Sequence, residues 1–95
     1  MDILEIMQAL NACHGPSGNE GQVAAAIRTL AAPYVDEITT DALGNLVCHK
    51  QGTGPRVMFA AHMDSIGFIV THIEEHGNLR CGLVGGLPAH DLPGT

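Results

Sequence analysis

The pair His62 and Asp64 has the residue types and the spacing that best suit metal binding in this sequence. An imidazole nitrogen readily binds a divalent metal ion, and a carboxylate that accepts the ring's other N–H fixes the ring and raises its basicity. The pair follows the apolar run 57–61 (Val-Met-Phe-Ala-Ala). Side chains two apart on an extended backbone point to the same side, so both can reach one point beyond a strand end. The spacing predicts half of a metal site, and a polar strand terminus without metal is the simpler alternative.

The remaining histidines are better explained as structural residues. His72 is an alternative second ligand, but a surface or partly buried histidine on a strand is the simpler interpretation. His14 and His49 flank the ends of predicted elements, and His76 lies in a Gly-Asn turn. The pair at 90–91 (His-Asp) lies in a proline-flanked segment that we interpret as a surface loop.

Length and composition limit the chain to one small domain at most. The chain has 95 residues, 45% of them hydrophobic, with few aromatic or charged residues. A chain of this size buries only about 60 to 65% of its unfolded surface, so its core is expected to be marginal. The high apolar content predicts that further chain or a partner covers some of the surface.

The net charge limits the partners that the protein is expected to bind, and the cysteine content indicates the redox state of its cellular compartment. Ten acidic residues against four basic ones give a net charge of −6, with no basic cluster for a phosphate backbone, so a nucleic acid partner is not expected. The three cysteines are odd in number and far apart, which favours reduced thiols in the cytoplasm. There is no basic leader and no apolar run of about 20 residues, so neither export nor a membrane is expected.

The apolar spacing predicts two helices followed by strands. A capping-box pattern at Asp2 opens a helix over residues 2–12, and a second such pattern at Ser17–Glu20 opens a helix that Pro33 ends. The loop before the second helix lacks the lysine of a phosphate-binding loop, so capping by Ser17 explains it better than an anion site does.

The second half of the chain reads as strands, of which one is central. Because the run 57–61 is apolar throughout, it predicts a strand buried on both faces. Residues 87–95 form no regular pattern and close no element, so the chain looks cut within a domain. The predicted strands are 35–40, 46–49, 57–61, 68–73 and 79–84.

Three segments in order resemble the N-terminal part of M42 family metallo-aminopeptidases, which include glutamyl aminopeptidase-like and tetrahedral aminopeptidases. The spacing between the segments matches too. The family's later Gly-x-Leu-Arg and Gly-Gly look like residues 77–80 and 85–86, so the resemblance covers essentially the whole chain. The segments are 15–20 (Gly-Pro-Ser-Gly-Asn-Glu), 40–46 (Thr-Asp-Ala-Leu-Gly-Asn-Leu) and 60–68 (Ala-Ala-His-Met-Asp-Ser-Ile-Gly-Phe).

The resemblance implies a fragment of a peptidase that uses two zinc or cobalt ions to remove N-terminal residues from peptides. It implies an α/β fold: residues 1–66 form the N-terminal part of a zinc-peptidase-like α/β sandwich, and residues 67–95 begin an inserted β-rich domain. His62 matches a metal ligand and Asp64 matches its supporting aspartate. The bridging aspartate, the general-base glutamate and the other ligands match no residue here, so we expect the chain alone to be inactive and the full-length protein to be a cytoplasmic homo-oligomer.

One departure and three alternatives accompany this interpretation. The family commonly has glutamate where this chain has Ser65, which removes a carboxylate beside the site. The missing ligands leave open a non-catalytic truncated protein or interaction module. A related dinuclear amidohydrolase also stays open, whereas a glycosidase needs two suitably spaced carboxylic acids. Asp64 is committed to His62, and Glu74 and Glu75 lie in a predicted turn.

Overall fold

The computed structural model describes residues 2–86 and has an α/β fold of two helices followed by two separate antiparallel hairpins. The predicted loop at 87–95, including the His-Asp pair at 90–91, lies outside the described residues. The elements are α1 (Ile3–Asn11), α2 (Gly21–Ala31), a short 3-10 turn (Ala32–Tyr34), β1 (Glu37–Thr40), β2 (Leu46–His49), β3 (Gly67–Ile73) and β4 (Leu79–Val84).

The helix α1 begins where its capping pattern predicts. The Asp2 side chain accepts a hydrogen bond from the Leu4 backbone N–H at 3.3 Å, which satisfies one of the otherwise unpaired N–H groups of the first turn. The apolar face of α1 lies against α2 across an open groove of about 420 Å³, lined by Ile6, Leu10, Ile27, Leu30, Ala31 and Tyr34. The predicted helix is therefore confirmed, and its apolar face is only partly covered.

The second helix is confirmed, but the predicted cap is wrong. Glu20, not Ser17, occupies the N-cap position, and no side chain caps the helix. The Glu20 carboxylate instead accepts a hydrogen bond from the backbone N–H of Gly18 at 2.6 Å. The backbone N–H of Ser17 donates to the carbonyl of Ser65 at 3.3 Å, a contact with a distant segment.

The hairpin β1–β2 is confirmed and is closed by a turn organised around Asp41. Its carboxylate accepts hydrogen bonds from the Asn45 side chain at 2.8 Å and from the backbone N–H groups of Leu43 and Asn45, both at 2.9 Å. Gly44 in this turn has a φ of 87°, a left-handed conformation that glycine adopts without strain. Together, the Asn45 side chain and the backbone donors hold the pKa of Asp41 below its ordinary value.

This lowered pKa predicts how the hairpin responds to acid. A carboxyl group with a depressed pKa in the folded state stabilises that state above its unfolded pKa of about 3.9, and this stabilisation is lost as the pH falls through the folded value. We therefore expect Asp41→Asn to lower the thermal midpoint at pH 6, with a difference from the parent chain that shrinks as the pH falls below about 3.9. Circular dichroism melts of both chains would test this, with Glu37→Gln as the control for loss of an acidic charge. A gap that stays constant with pH would contradict it.

The predicted central strand at 57–61 is not formed within the described part of the chain. Val57, Met58 and Phe59 are 74%, 87% and 95% exposed, and no residue of the run belongs to a strand. A strand exists only when a neighbouring backbone accepts and donates its hydrogen bonds, and none of the described segments lies close enough to do so. The prediction was wrong for this chain because an apolar run indicates that a segment tends to be buried but not which segment pairs with it. None of residues 2–86 pairs with this run or buries it.

The hairpin β3–β4 is confirmed and forms its own sheet. Its register pairs Gly67 with Val84 and Ile73 with Leu79, with a bulge between Val70 and His72. At its closed end Arg80 donates to Glu74 at 2.6 Å. Both partners are exposed, so we assign this ion pair little stabilising energy.

The described elements enclose almost no core. Val23 is the only buried hydrophobic side chain among residues 2–86. The accessible surface is 7898 Å², whereas a compact monomer of this mass has about 5,200 Å². The radius of gyration is 17.6 Å, against about 12 Å for a compact chain of this length. None of the helices among these residues has the length and apolar character that a bilayer crossing requires.

Candidate metal site

The segment that carries His62 and Asp64 is tied to the loop before α2. Pro16 and Ser65 form an isolated parallel bridge, in which the Ser65 N–H donates to the carbonyl of Gly15 at 2.8 Å. Gly15 is buried beside Val23. Gly67 leaves room for the Pro16 ring on the other side, because an added Cβ there would lie 3.2 Å from the Pro16 Cβ. The first helical half of the chain therefore fixes the backbone directly after Asp64.

The close approach at Gly15 predicts a stability effect. A Cβ added there would lie 3.1 Å from Val23 Cγ1, tighter than ordinary packing. We expect Gly15→Ala to lower the free energy of unfolding by about 1 kcal/mol, the low end of the cost of overpacking, because Val23 must shift by a few tenths of an ångström. Urea denaturation followed by circular dichroism would measure it. Gly21→Ala is the matched control, since nothing lies within 4 Å of that position and alanine favours the helix; equal losses for the two variants would contradict the prediction.

The side chains of His62 and Asp64 are in direct contact. The Nδ1 atom of His62 lies 2.9 Å from Asp64 Oδ1 and 3.1 Å from the Asp64 carbonyl oxygen, so an N–H at Nδ1 donates to the aspartate. The His62 side chain is 87% exposed. The tautomer with its proton on Nδ1 leaves the lone pair of Nε2 directed away from the aspartate and open to a ligand.

Of the predicted metal site, the described residues contain His62 and Asp64 alone. No group of three or more histidine, cysteine or carboxylate side chains that could share a metal ion occurs within residues 2–86. His72 lies on β3 and His76 in the turn after it, as the sequence predicts, and neither forms part of such a group. His62 fits a metal as a single ligand, with Asp64 orienting its ring.

Comparison with known proteins decides the family. The sequence profile of M42 glutamyl aminopeptidases matches residues 44–95, which include His62 and Asp64 and make up more than half of the chain. The chain belongs to the M42 family. The lysyl aminopeptidase of Pyrococcus furiosus is 40% identical over 87 residues, a match that covers 87% of this chain and 24% of that protein.

The fold of this M42 chain is also similar to part of several solved structures. The crystal structure of a TET aminopeptidase from a marine sediment archaeon of the Thaumarchaeota aligns with a TM-score of 0.81 at 36% identity, covering 92% of this chain and 25% of that one. A protein of Thermotoga maritima described as an endoglucanase aligns with a TM-score of 0.74 at 39% identity, covering 90% and 28%. This M42 chain thus spans about a quarter of the length of the proteins it matches.

Proposed function

We propose that this chain is the N-terminal part of a metal-dependent aminopeptidase that removes N-terminal residues from peptides. The observation that carries the proposal is the contact between His62 Nδ1 and the Asp64 carboxylate at 2.9 Å, which leaves Nε2 exposed. This arrangement is the one in which proteins usually present a histidine to a metal ion. Membership of the M42 family supplies the reaction class.

In this proposal, the metal pair supplies an acidified water and polarises the scissile carbonyl when it is bound. His62 contributes one ligand nitrogen. Asp64 accepts the ring's other proton, which fixes the tautomer and makes the ligand nitrogen more basic. The bridge between Pro16 and Ser65 holds the backbone beside the aspartate, so Asp64 acts as a positioning residue and the loop before α2 supports it.

We extend the proposal to the cofactor, the domain boundary and the setting of the full-length protein. The family resemblance implies two zinc or cobalt ions and a change of domain at Gly67. It also implies assembly into a homo-oligomer and a cytoplasmic location. The boundary is supported by the separate sheets, since β3 begins at Gly67 and pairs only with β4 among the described strands. The three free thiols at 13, 48 and 81 suit a reducing compartment.

A chimera tests the function directly. The 95 residues of this chain replace the matched segment of the lysyl aminopeptidase of Pyrococcus furiosus, and the product is assayed on lysyl p-nitroanilide with zinc or cobalt. We expect metal-dependent turnover that a chelator removes and added metal restores. A folded, metal-loaded chimera without turnover would count against the proposal.

The endoglucanase description of one similar structure favours testing a second function. Hydrolysis of a glycoside requires two carboxylic acids at a set separation across the bond. Asp64 is engaged by His62, and Glu74 is engaged by Arg80 at the closed end of β3–β4. We therefore expect the chimera to leave carboxymethyl cellulose uncleaved under conditions in which it cleaves the lysyl substrate.

The role of Asp64 predicts a graded effect. In Asp64→Asn the amide oxygen still accepts the Nδ1 proton, so the ring keeps its orientation, but the negative charge that raises ligand basicity is gone. We expect the metal affinity of the chimera to fall about 10- to 100-fold, with activity recovered at higher metal concentration. Isothermal titration with zinc and activity against zinc concentration would measure both. An unchanged affinity would assign Asp64 a purely structural role.

A further inference from the structure

The residue after β4 lies in close contact with the residue before β3. Gly67 pairs with Val84 at the open end of the hairpin, and the next residues outward are Ile66 and Gly85. A Cβ added at Gly85 would lie 2.7 Å from Ile66 Cγ2 and 3.4 Å from Ile66 Cβ. Because paired strand residues keep their Cβ atoms about 4.5 to 5.5 Å apart, the two segments approach more closely here than in an ordinary sheet.

Position 85 requires glycine for two reasons. Its φ is 93°, a left-handed conformation that residues with a Cβ rarely adopt, and a Cβ would also collide with Ile66. Gly77, in the turn at the other end of the hairpin, has a φ of 87° but nothing within 4 Å of an added Cβ. Of these two glycines, Gly85 alone is also required by a contact.

The residues on either side of Ile66 contact a different part of the chain, the loop before α2. The Ser65 N–H donates to the carbonyl of Gly15 at 2.8 Å, and Gly67 makes room for the Pro16 ring. Three consecutive residues, 65 to 67, are therefore held from two sides, by the helical half of the chain and by the end of β4.

This held segment begins directly after Asp64. The carboxylate and the carbonyl oxygen of Asp64 both lie within hydrogen-bonding distance of His62 Nδ1, at 2.9 and 3.1 Å. Peptide bonds are planar, so few rotatable bonds separate Asp64 from Ile66. A shift of Ile66 therefore moves the two oxygen atoms that orient the imidazole ring.

We propose that Gly85 and Ile66 are positioning residues for the pair His62 and Asp64. The close contact of Gly85 with Ile66, together with the tie to the loop before α2, holds the Asp64 backbone so that Nδ1 of the histidine stays bonded and Nε2 stays free. The hairpin β3–β4 thereby controls the geometry of a ligand that lies outside it. The inference rests on the proposed function, since His62 is the proposed metal ligand.

Gly85→Ala tests the contact in the chimera, with Gly77→Ala as the matched control. Both variants place alanine at a left-handed position of the same hairpin, but the first also drives a Cβ into Ile66. We expect Gly85→Ala to weaken zinc binding about tenfold, the low end for residues that support a ligand, and Gly77→Ala to change it less than about twofold. Isothermal titration measures the affinity, and thermal melts establish that both variants are folded.

Ile66→Ala tests the same contact without adding an atom. It removes the Cγ2 that touches position 85, and Ile69→Ala, at a similarly exposed isoleucine of β3, is its control. We expect Ile66→Ala to weaken zinc binding more than Ile69→Ala does. The double variant Ile66→Ala, Gly85→Ala should bind zinc within about twofold of Ile66→Ala, because the colliding atom is gone. Fully additive losses would overturn the proposal.

The tautomer of His62 provides a readout that needs neither metal nor turnover. Long-range ¹H–¹⁵N spectra of the 95-residue chain at about pH 8.5, well above the ordinary pKa of histidine, distinguish a proton on Nδ1 from one on Nε2. We expect the Nδ1–H form to predominate in the parent chain and in Gly77→Ala. In Gly85→Ala it should lose at least about half of its population, because the hydrogen bond that selects this tautomer is disturbed.

Two further outcomes would overturn the proposal: a zinc affinity and a tautomer that Gly85→Ala leaves unchanged, or equal losses in Gly85→Ala and Gly77→Ala. The result is separable from that of the proposed function. A tautomer that depends on Gly85, in a chimera without turnover, supports this inference and counts against the proposed function. Turnover with a zinc affinity and a tautomer that do not respond to Gly85→Ala does the reverse.

Discussion

We expect His62→Ala to remove the peptidase activity of the chimera. The variant removes the proposed ligand, one of the few protein groups that would hold the metal, and metal ions contribute several kcal/mol to stabilising the transition state in such reactions. A loss of about 4 kcal/mol corresponds to about a thousandfold in rate. The measurement is kcat/KM on lysyl p-nitroanilide with saturating zinc or cobalt, together with the bound metal content of the purified protein.

His76→Ala is the matched control for this variant. His76 lies in the turn between β3 and β4, away from the proposed site, and its loss should leave kcat/KM within about twofold. His72→Ala separates the two candidate ligands that the sequence offers. Activity that survives His62→Ala but disappears with His72→Ala would reverse the assignment.

The second large effect concerns the 95-residue chain by itself, for which we expect no measurable turnover with zinc or cobalt. A lone neutral imidazole does not hold a divalent ion in water at useful affinity, because catalytic zinc ordinarily takes about three protein ligands. No other potential ligands gather around His62 within the described residues. The assay compares the purified chain with a metal blank on a panel of aminoacyl p-nitroanilides.

Metal binding checks the same expectation independently of turnover. Zinc titration should give no site tighter than millimolar in the isolated chain, and His62→Ala should not change the weak binding that remains. Turnover above the blank that disappears in His62→Ala would show that the chain completes its site in another way, for example by self-association. Light scattering during the assay would identify such an assembly.

The parts of the fold that depend on neighbouring residues were predictable from the sequence. Asp2 caps α1, and turns at Asp41 and Gly77 set the two hairpins, because these features arise from contacts within a few residues. The predicted cap at Ser17 does not form, and the backbone N–H of Ser17 donates to the carbonyl of the distant Ser65, a contact that the local pattern does not contain. The run 57–61 is apolar but forms no strand, because none of the described residues pairs with its backbone.

At the candidate site, too, the contact between residues close in sequence was predictable and the contact between distant segments was not. The contact between His62 and Asp64 follows from spacing on an extended backbone, and the structure has it at 2.9 Å. The tie between Pro16 and Ser65 gave no sequence signal beyond the recurrence of both segments in one family, since a single bridge between distant loops leaves no periodic pattern. The remaining ligands were beyond prediction, because no residues of the chain could be matched to them.

The exposed run at 57–61 also bears on whether the chain aggregates. Five consecutive uncharged, mostly large apolar residues without proline are the type of segment that stacks into cross-β aggregates. Pro55 and Arg56 precede the run, and His62 and Asp64 follow it. Residues of these types act as gatekeepers that interrupt intermolecular stacking. We therefore expect Pro55, Arg56 and Asp64 to limit aggregation through the exposed run, which gives the aspartate proposed for the metal site a second role.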